Sequence, residues 1–64
     1  MIRTIDGALC KEIHPSQYLR KRATSWMQGP YRAHPGYWVK LTSRIYAYRE
    51  HTGNITFWRR NSNA

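Results

Sequence analysis

Apolar residues recur at helical spacing from Ser16 to Trp26. Leu19, Ala23 and Trp26 fall at steps of four and three, on one face. Gln17, Arg20, Lys21 and Thr24 fall on the opposite face. Ser16 stands at the N-cap position, directly after His14-Pro15. The residue before a proline avoids helical backbone, so a break is expected there. Upstream, Ile5, Leu9 and Ile13 also recur at steps of four, with Asp6 placed to cap. They predict a second short helix over Gly7 to Ile13, although Gly7 weakens it. Met1 to Ile5 is short and β-prone, and reads as an edge strand. Two short helices across a tight break make a helix-turn-helix.

Beyond the helix, Gln28-Gly29-Pro30 reads as its close, with Gly29 near the C′ position, and Tyr31 to Gly36 as a loop. Tyr37 to Leu41 predicts a strand, Thr42-Ser43 a turn, and Arg44 to Tyr48 the return strand. Alternation sets Val39, Leu41, Ile45 and Ala47 on one face of this hairpin. Trp38, Lys40, Arg44, Tyr46 and Tyr48 fall on the other. Neither turn residue is Gly or Asn, which leaves room for a longer loop. Arg49 to Arg60 has two readings. Ile55 and Trp58 suit the inner face of a helix, whereas Thr52-Gly53-Asn54 suits a turn before a strand from Ile55 to Trp58. Asn61-Ser62-Asn63-Ala64 reads as a disordered tail, leaving one domain over residues 1–60. The class expected is α+β: a small winged helix-turn-helix with two short helices, a β-hairpin wing and a C-terminal helix or strand.

Size and charge narrow the function. A chain of 64 residues holds one small core, and buries only about 60% of the surface its unfolded form exposes. Nine aromatic residues are too many for a solvated coil. Cys10 is alone, so no intramolecular disulfide forms; it reads as a small buried apolar residue in a reducing compartment. Cys10 with His14, His34 and His51 matches no metal-site spacing. Without a signal peptide or an apolar run near membrane-spanning length, the expectation is a cytoplasmic protein with no membrane partner.

Eleven Lys and Arg face three acids, Asp6, Glu12 and Glu50, for a net charge of +8. That density predicts a polyanionic partner. Eight of the cations are Arg, whose fork suits phosphate and guanine. Arg20 and Lys21, between Gln17 and Thr24, form the candidate DNA-reading face, and Arg22, between the faces, is placed for phosphate. No carboxylate pair at useful spacing and no oriented nucleophile is present, so neither catalysis nor a cofactor is expected. Trp26 and Trp58 read as core. Trp38, on the Lys40 and Tyr46 face, is placed to stack an unpaired base.

The order of elements resembles the small phage excisionases and related winged-helix regulators. The resemblance is carried by Tyr18 to Arg22, Trp26, Gly29, Trp38-Val39-Lys40-Leu41, Arg44-Ile45-Tyr46 and Ile55 with Trp58, over roughly residues 9 to 58. Pro30 to Gly36 and His51 to Asn54 depart from the pattern as extra residues. The resemblance implies a closing helix over the C-terminal region. It also implies a recombination directionality factor that binds and bends double-stranded attachment-site DNA, assists a phage integrase, self-associates cooperatively on DNA, and regulates transcription. It puts Gln17, Arg20, Lys21 and Thr24 in the major groove, with Lys40, Thr42, Ser43 and Arg44 as a wing. Two other functions compete. One is RNA or single-strand binding on an aromatic surface around Trp38, Tyr46 and Tyr48. The other is a small phage inhibitor docking on an acidic host protein.

Overall fold

The computed structural model describes residues 1–27 and 34–61. Its elements are β1 (Ile2–Ile5), β2 (Ala8–Ile13), α1 (Gln17–Trp26), β3 (Trp38–Lys40), β4 (Ile45–Arg49) and β5 (Ile55–Arg60). The strands form one antiparallel sheet in the order β1-β2-β5-β4-β3. The sheet curls into a half-barrel, and α1 covers part of one face. The winged helix-turn-helix expected from the sequence is therefore not the fold.

The helix predicted over Gly7 to Ile13 is the strand β2. Asp6 does not cap a helix. Asp6 and Gly7 have φ of 55° and 74°, and together make the two-residue turn joining β1 to β2. Such turns need left-handed backbone at both central residues, and they match the natural twist of a hairpin. A step of four suits a helix, but it is also even, so Leu9 and Ile13 share a face of a strand equally well. Ile5, across the turn opposite Ala8, lies on the other face and is buried there.

The closing helix is also a strand. Glu50 and Asn54 close a turn in which the Gly53 N–H donates to the Glu50 carbonyl at 3.0 Å. Gly53 has φ of 92°, which a glycine adopts without strain. β5 then runs between β2 and β4 as the central strand of the sheet. The turn-and-strand alternative was the correct one for this region.

α1 forms where the pattern places it. The Ser16 hydroxyl accepts the Leu19 N–H at 3.3 Å, as an N-cap does. Its buried stripe is Leu19, Ala23 and Met27, at strict steps of four. Trp26 was expected in the core; it is 44% exposed instead, with the Arg22 guanidinium 4.3 Å from its ring centre. The predicted helix close at Gln28-Gly29-Pro30, residues 31–33 of the following loop and tail residues 62–64 lie outside the described residues.

The hairpin faces are as the alternation predicts. Val39, Leu41, Ile45 and Ala47 pack with Ala23, Met27 and Phe57 beneath α1. Tyr46 and Trp58 pack with Ile5 and Cys10 on the opposite face, flanked by Trp38 and Tyr48. The β3–β4 loop is longer than two residues, from Leu41 to Arg44, and the Arg44 N–H donates to the Thr42 hydroxyl at 3.2 Å. Burial, which raises the Cys10 thiol pKa, keeps it protonated in that second core.

Candidate nucleic-acid interface

The inner stripe of α1 fixes which side chains it shows. With Leu19, Ala23 and Met27 turned to the sheet, Gln17, Arg20, Lys21 and Thr24 are exposed. The helix contains no acid. Among the described residues the ion pair is Arg3 with Glu50, so Arg20 and Lys21 keep their charge unpaired.

The outer surface of α1 has two flanks. Arg20 and Thr24 lie beside the β4–β5 turn and share a shallow groove with Gly53, Asn54 and Ile55. Tyr18, Arg22 and Trp26, at steps of four, form the other flank. The Arg22 guanidinium donates to the Tyr18 hydroxyl at 3.2 Å and stacks on Trp26. Arg22 was expected to meet phosphate; the geometry shows it held between two aromatic side chains. The Thr24 hydroxyl donates to the Arg20 carbonyl at 3.0 Å, which leaves its oxygen as an acceptor only.

The other predicted site residues lie elsewhere. Lys40, Ser43 and Arg44 are exposed and Thr42 is half-buried, at the β3–β4 loop. That loop opens β4, whereas the turn beside Arg20 and Thr24 follows its end. A five-residue strand separates them, or about 17 Å. The β3–β4 loop and the turn beside Arg20 and Thr24 therefore stand at opposite ends of β4. Of the aromatic side chains considered for unpaired bases, Trp38 and Tyr48 are half-buried and Tyr46 is not exposed. Tyr46 is fully buried, Trp38 meets it edge-on with centroids 5.5 Å apart, and the Arg3 guanidinium covers the Tyr48 ring at 4.1 Å.

One basic feature escaped the sequence reading. Lys11 and Arg59 are direct cross-strand neighbours on the helix-bearing face. Their pairing is invisible until β2 and β5 are both recognised as strands. The Asp6-Gly7 dipeptide, a strong hairpin signal, was the available clue.

No protein-family model matches the chain, and no curated protein or solved structure matches it either. Among the described residues, no helix is long and apolar enough to cross a membrane. No cluster of His, Cys, Asp and Glu among them could hold a metal ion.

Proposed function

We propose that this chain binds duplex DNA through the exposed face of α1 and catalyses no reaction. One observation carries the reading: an acid-free helix, docked by Leu19, Ala23 and Met27, presents Gln17, Arg20, Lys21 and Thr24 to solvent. A helix about 10–12 Å across fits the major groove. Arg20 and Lys21 supply contacts to phosphate or guanine, and Gln17 supplies a paired donor and acceptor for a base edge. The β4–β5 turn beside Arg20 and Thr24 then faces the sugar-phosphate backbone. The net charge of +8 supports a polyanionic partner independently of the helix. A cytoplasmic location goes with this reading.

The excision role has lost its ground. An integrase partner, cooperative arrays on DNA and transcriptional control all came from the winged-helix resemblance, and the five-stranded half-barrel is a different architecture. Burial of Tyr46 takes one of the three aromatics from the surface on which single-strand or RNA binding was argued, which favours the helix face.

The test is a titration of a labelled duplex with the full chain at several salt concentrations. Neutralising about six phosphates gives a log–log slope of about −5. Binding that is absent near 0.1 M salt, or that shows no salt dependence, contradicts the proposal.

A further inference from the structure

The helix covers only part of its face of the sheet. Ile13, Phe57, Ala47 and Val39 form one cross-strand row beneath α1. The next row is Ile2, Lys11, Arg59 and Ile45. Beyond it lie Thr4 and Leu9, with the Asn61 N–H bonded to the Leu9 carbonyl at 2.8 Å. Over these outer rows runs an open groove of about 550 Å³, whose lining includes Ile2, Leu9, Lys11, Arg59, Arg60 and one acid, Glu12.

Two features of this groove work against folding of the isolated chain. Lys11 and Arg59 are like charges directly opposite one another on one face, an arrangement that destabilises a sheet. Neither has an ion-pair partner among the described residues; Glu12, which also lines the groove, stands in register with Trp58 and pairs with neither cation, so the cations outnumber the acid there. Beside them Ile2 and Leu9 are 62% and 50% exposed. An apolar floor with a cationic wall complements a ligand that carries both carboxylates and apolar side chains.

We infer that this groove binds an extended acidic segment of a partner protein, whose apolar side chains cover Ile2 and Leu9 while its carboxylates meet Lys11 and Arg59. A nucleic acid would satisfy the cations but would set its sugar-phosphate backbone against two aliphatic side chains. A second copy of this chain would bring another +8 against the same wall. An extended peptide turns every second side chain to such a face, so apolar and acidic residues two positions apart meet the aliphatic and cationic side chains together.

The experiment uses the full chain and fluorescein-labelled octapeptides, read by anisotropy near 0.15 M salt. The Leu-Asp probe is Leu-Ser-Asp-Ser-Leu-Ser-Asp-Ser, which puts Leu and Asp on one face of an extended chain, and the Ser-Asp probe carries Ser in place of each Leu. The Leu-Asp peptide should bind, and the Ser-Asp peptide at least about tenfold more weakly, the loss expected for about 1.4 kcal/mol of apolar burial. Leu9→Ser, Ile2→Ser and Arg59→Gln should each weaken the Leu-Asp peptide severalfold while leaving affinity for a labelled duplex unchanged. The two aliphatic residues are exposed and Arg59→Gln relieves a repulsion, so folding should persist; unchanged far-UV circular dichroism checks this. Failure of the Leu-Asp peptide to bind, or equal binding of the two peptides, overturns the inference. So does a parallel loss of duplex affinity in Arg59→Gln, which would assign the groove to nucleic acid. Duplex binding through Arg20 and Lys21 stands or falls separately.

Discussion

Arg3 and Glu50 close the curl of the sheet. They are 47 positions apart, on β1 and just beyond β4, and the guanidinium donates to both carboxylate oxygens at 2.9 and 3.2 Å. The same guanidinium lies over the rings of Tyr48 and Trp58. The Thr56 hydroxyl donates to Glu50 at 2.9 Å and accepts the Trp58 indole N–H at 2.8 Å. One bidentate pair thus ties an edge strand across two intervening strands to the aromatic core.

This latch makes stability depend on acid. Burial by itself would raise the Glu50 pKa, but the hydrogen bonds from Arg3 and Thr56 and the charge of Arg3 outweigh it and hold the carboxyl below its ordinary range. A depressed folded-state pKa contributes stability that is complete above the unfolded value, about 4.3, and is lost as pH falls through the folded value. Thermal melts should therefore lose this contribution below about pH 4 in the native chain. Glu50→Gln should show a lower melting temperature at neutral pH and a flatter decline into acid. Arg3→Met should cost about 1.5–3 kcal/mol, the range for hydrogen bonds to charged groups.

The β1–β2 turn is a second check on the fold. Gly7 has open space around its missing side chain, so Gly7→Ala meets no clash and its cost is purely conformational. Left-handed backbone should make that cost about 1–2 kcal/mol in chemical denaturation. Asp6→Asn should be within about 0.5 kcal/mol of neutral, because Asn tolerates this backbone as well as Asp. In a helix beginning at Asp6, Gly7→Ala would instead stabilise.

The orientation of α1 separates Met27 from Trp26. Met27 is buried against Leu41 and Ala47, so Met27→Ala should cost about 2–5 kcal/mol. Trp26→Ala loses its stacking on Arg22 and little packing, so about 1 kcal/mol is expected. Equilibrium unfolding in urea of the two variants decides this. Equal losses would mean that the helix is rotated from the orientation described.

Tyr46 carries a buried hydroxyl with no hydrogen-bond partner among the described residues. Replacing such a group by an apolar one of the same shape is neutral or stabilising. Tyr46→Phe should leave the melting temperature unchanged or raise it. A loss of more than about 1 kcal/mol would reveal a partner for that hydroxyl.

The parts of this fold that were legible in the sequence are those with a local cause. Ser16 capping after His14-Pro15 marks α1, and alternation from Trp38 to Tyr48 marks the hairpin with its two faces correctly divided. β2 and β5 were harder to read. Their apolar spacings of four and three are compatible with helices; the local turns at Asp6-Gly7 and Thr52-Gly53-Asn54 pointed the other way, but the pairing of β2 with β5 is nonlocal. The same nonlocality hid the Lys11–Arg59 pair, whose members are far apart in sequence and adjacent only through the sheet. The exposed face of α1 was legible because a helix carries its own geometry. What it was expected to work with, a wing at Thr42 to Arg44, was a tertiary inference from a fold this chain does not adopt.

Duplex binding by α1 rests most directly on Arg20 and Lys21. The decisive measurement is the affinity of the double variant Arg20→Ala with Lys21→Ala for a labelled duplex, by gel shift at fixed salt and then across a salt series. Both side chains are exposed, so the variant should fold like the native chain. Its affinity should fall at least about tenfold, and its salt slope should become shallower by about two. Unchanged affinity with an unchanged slope would contradict the account.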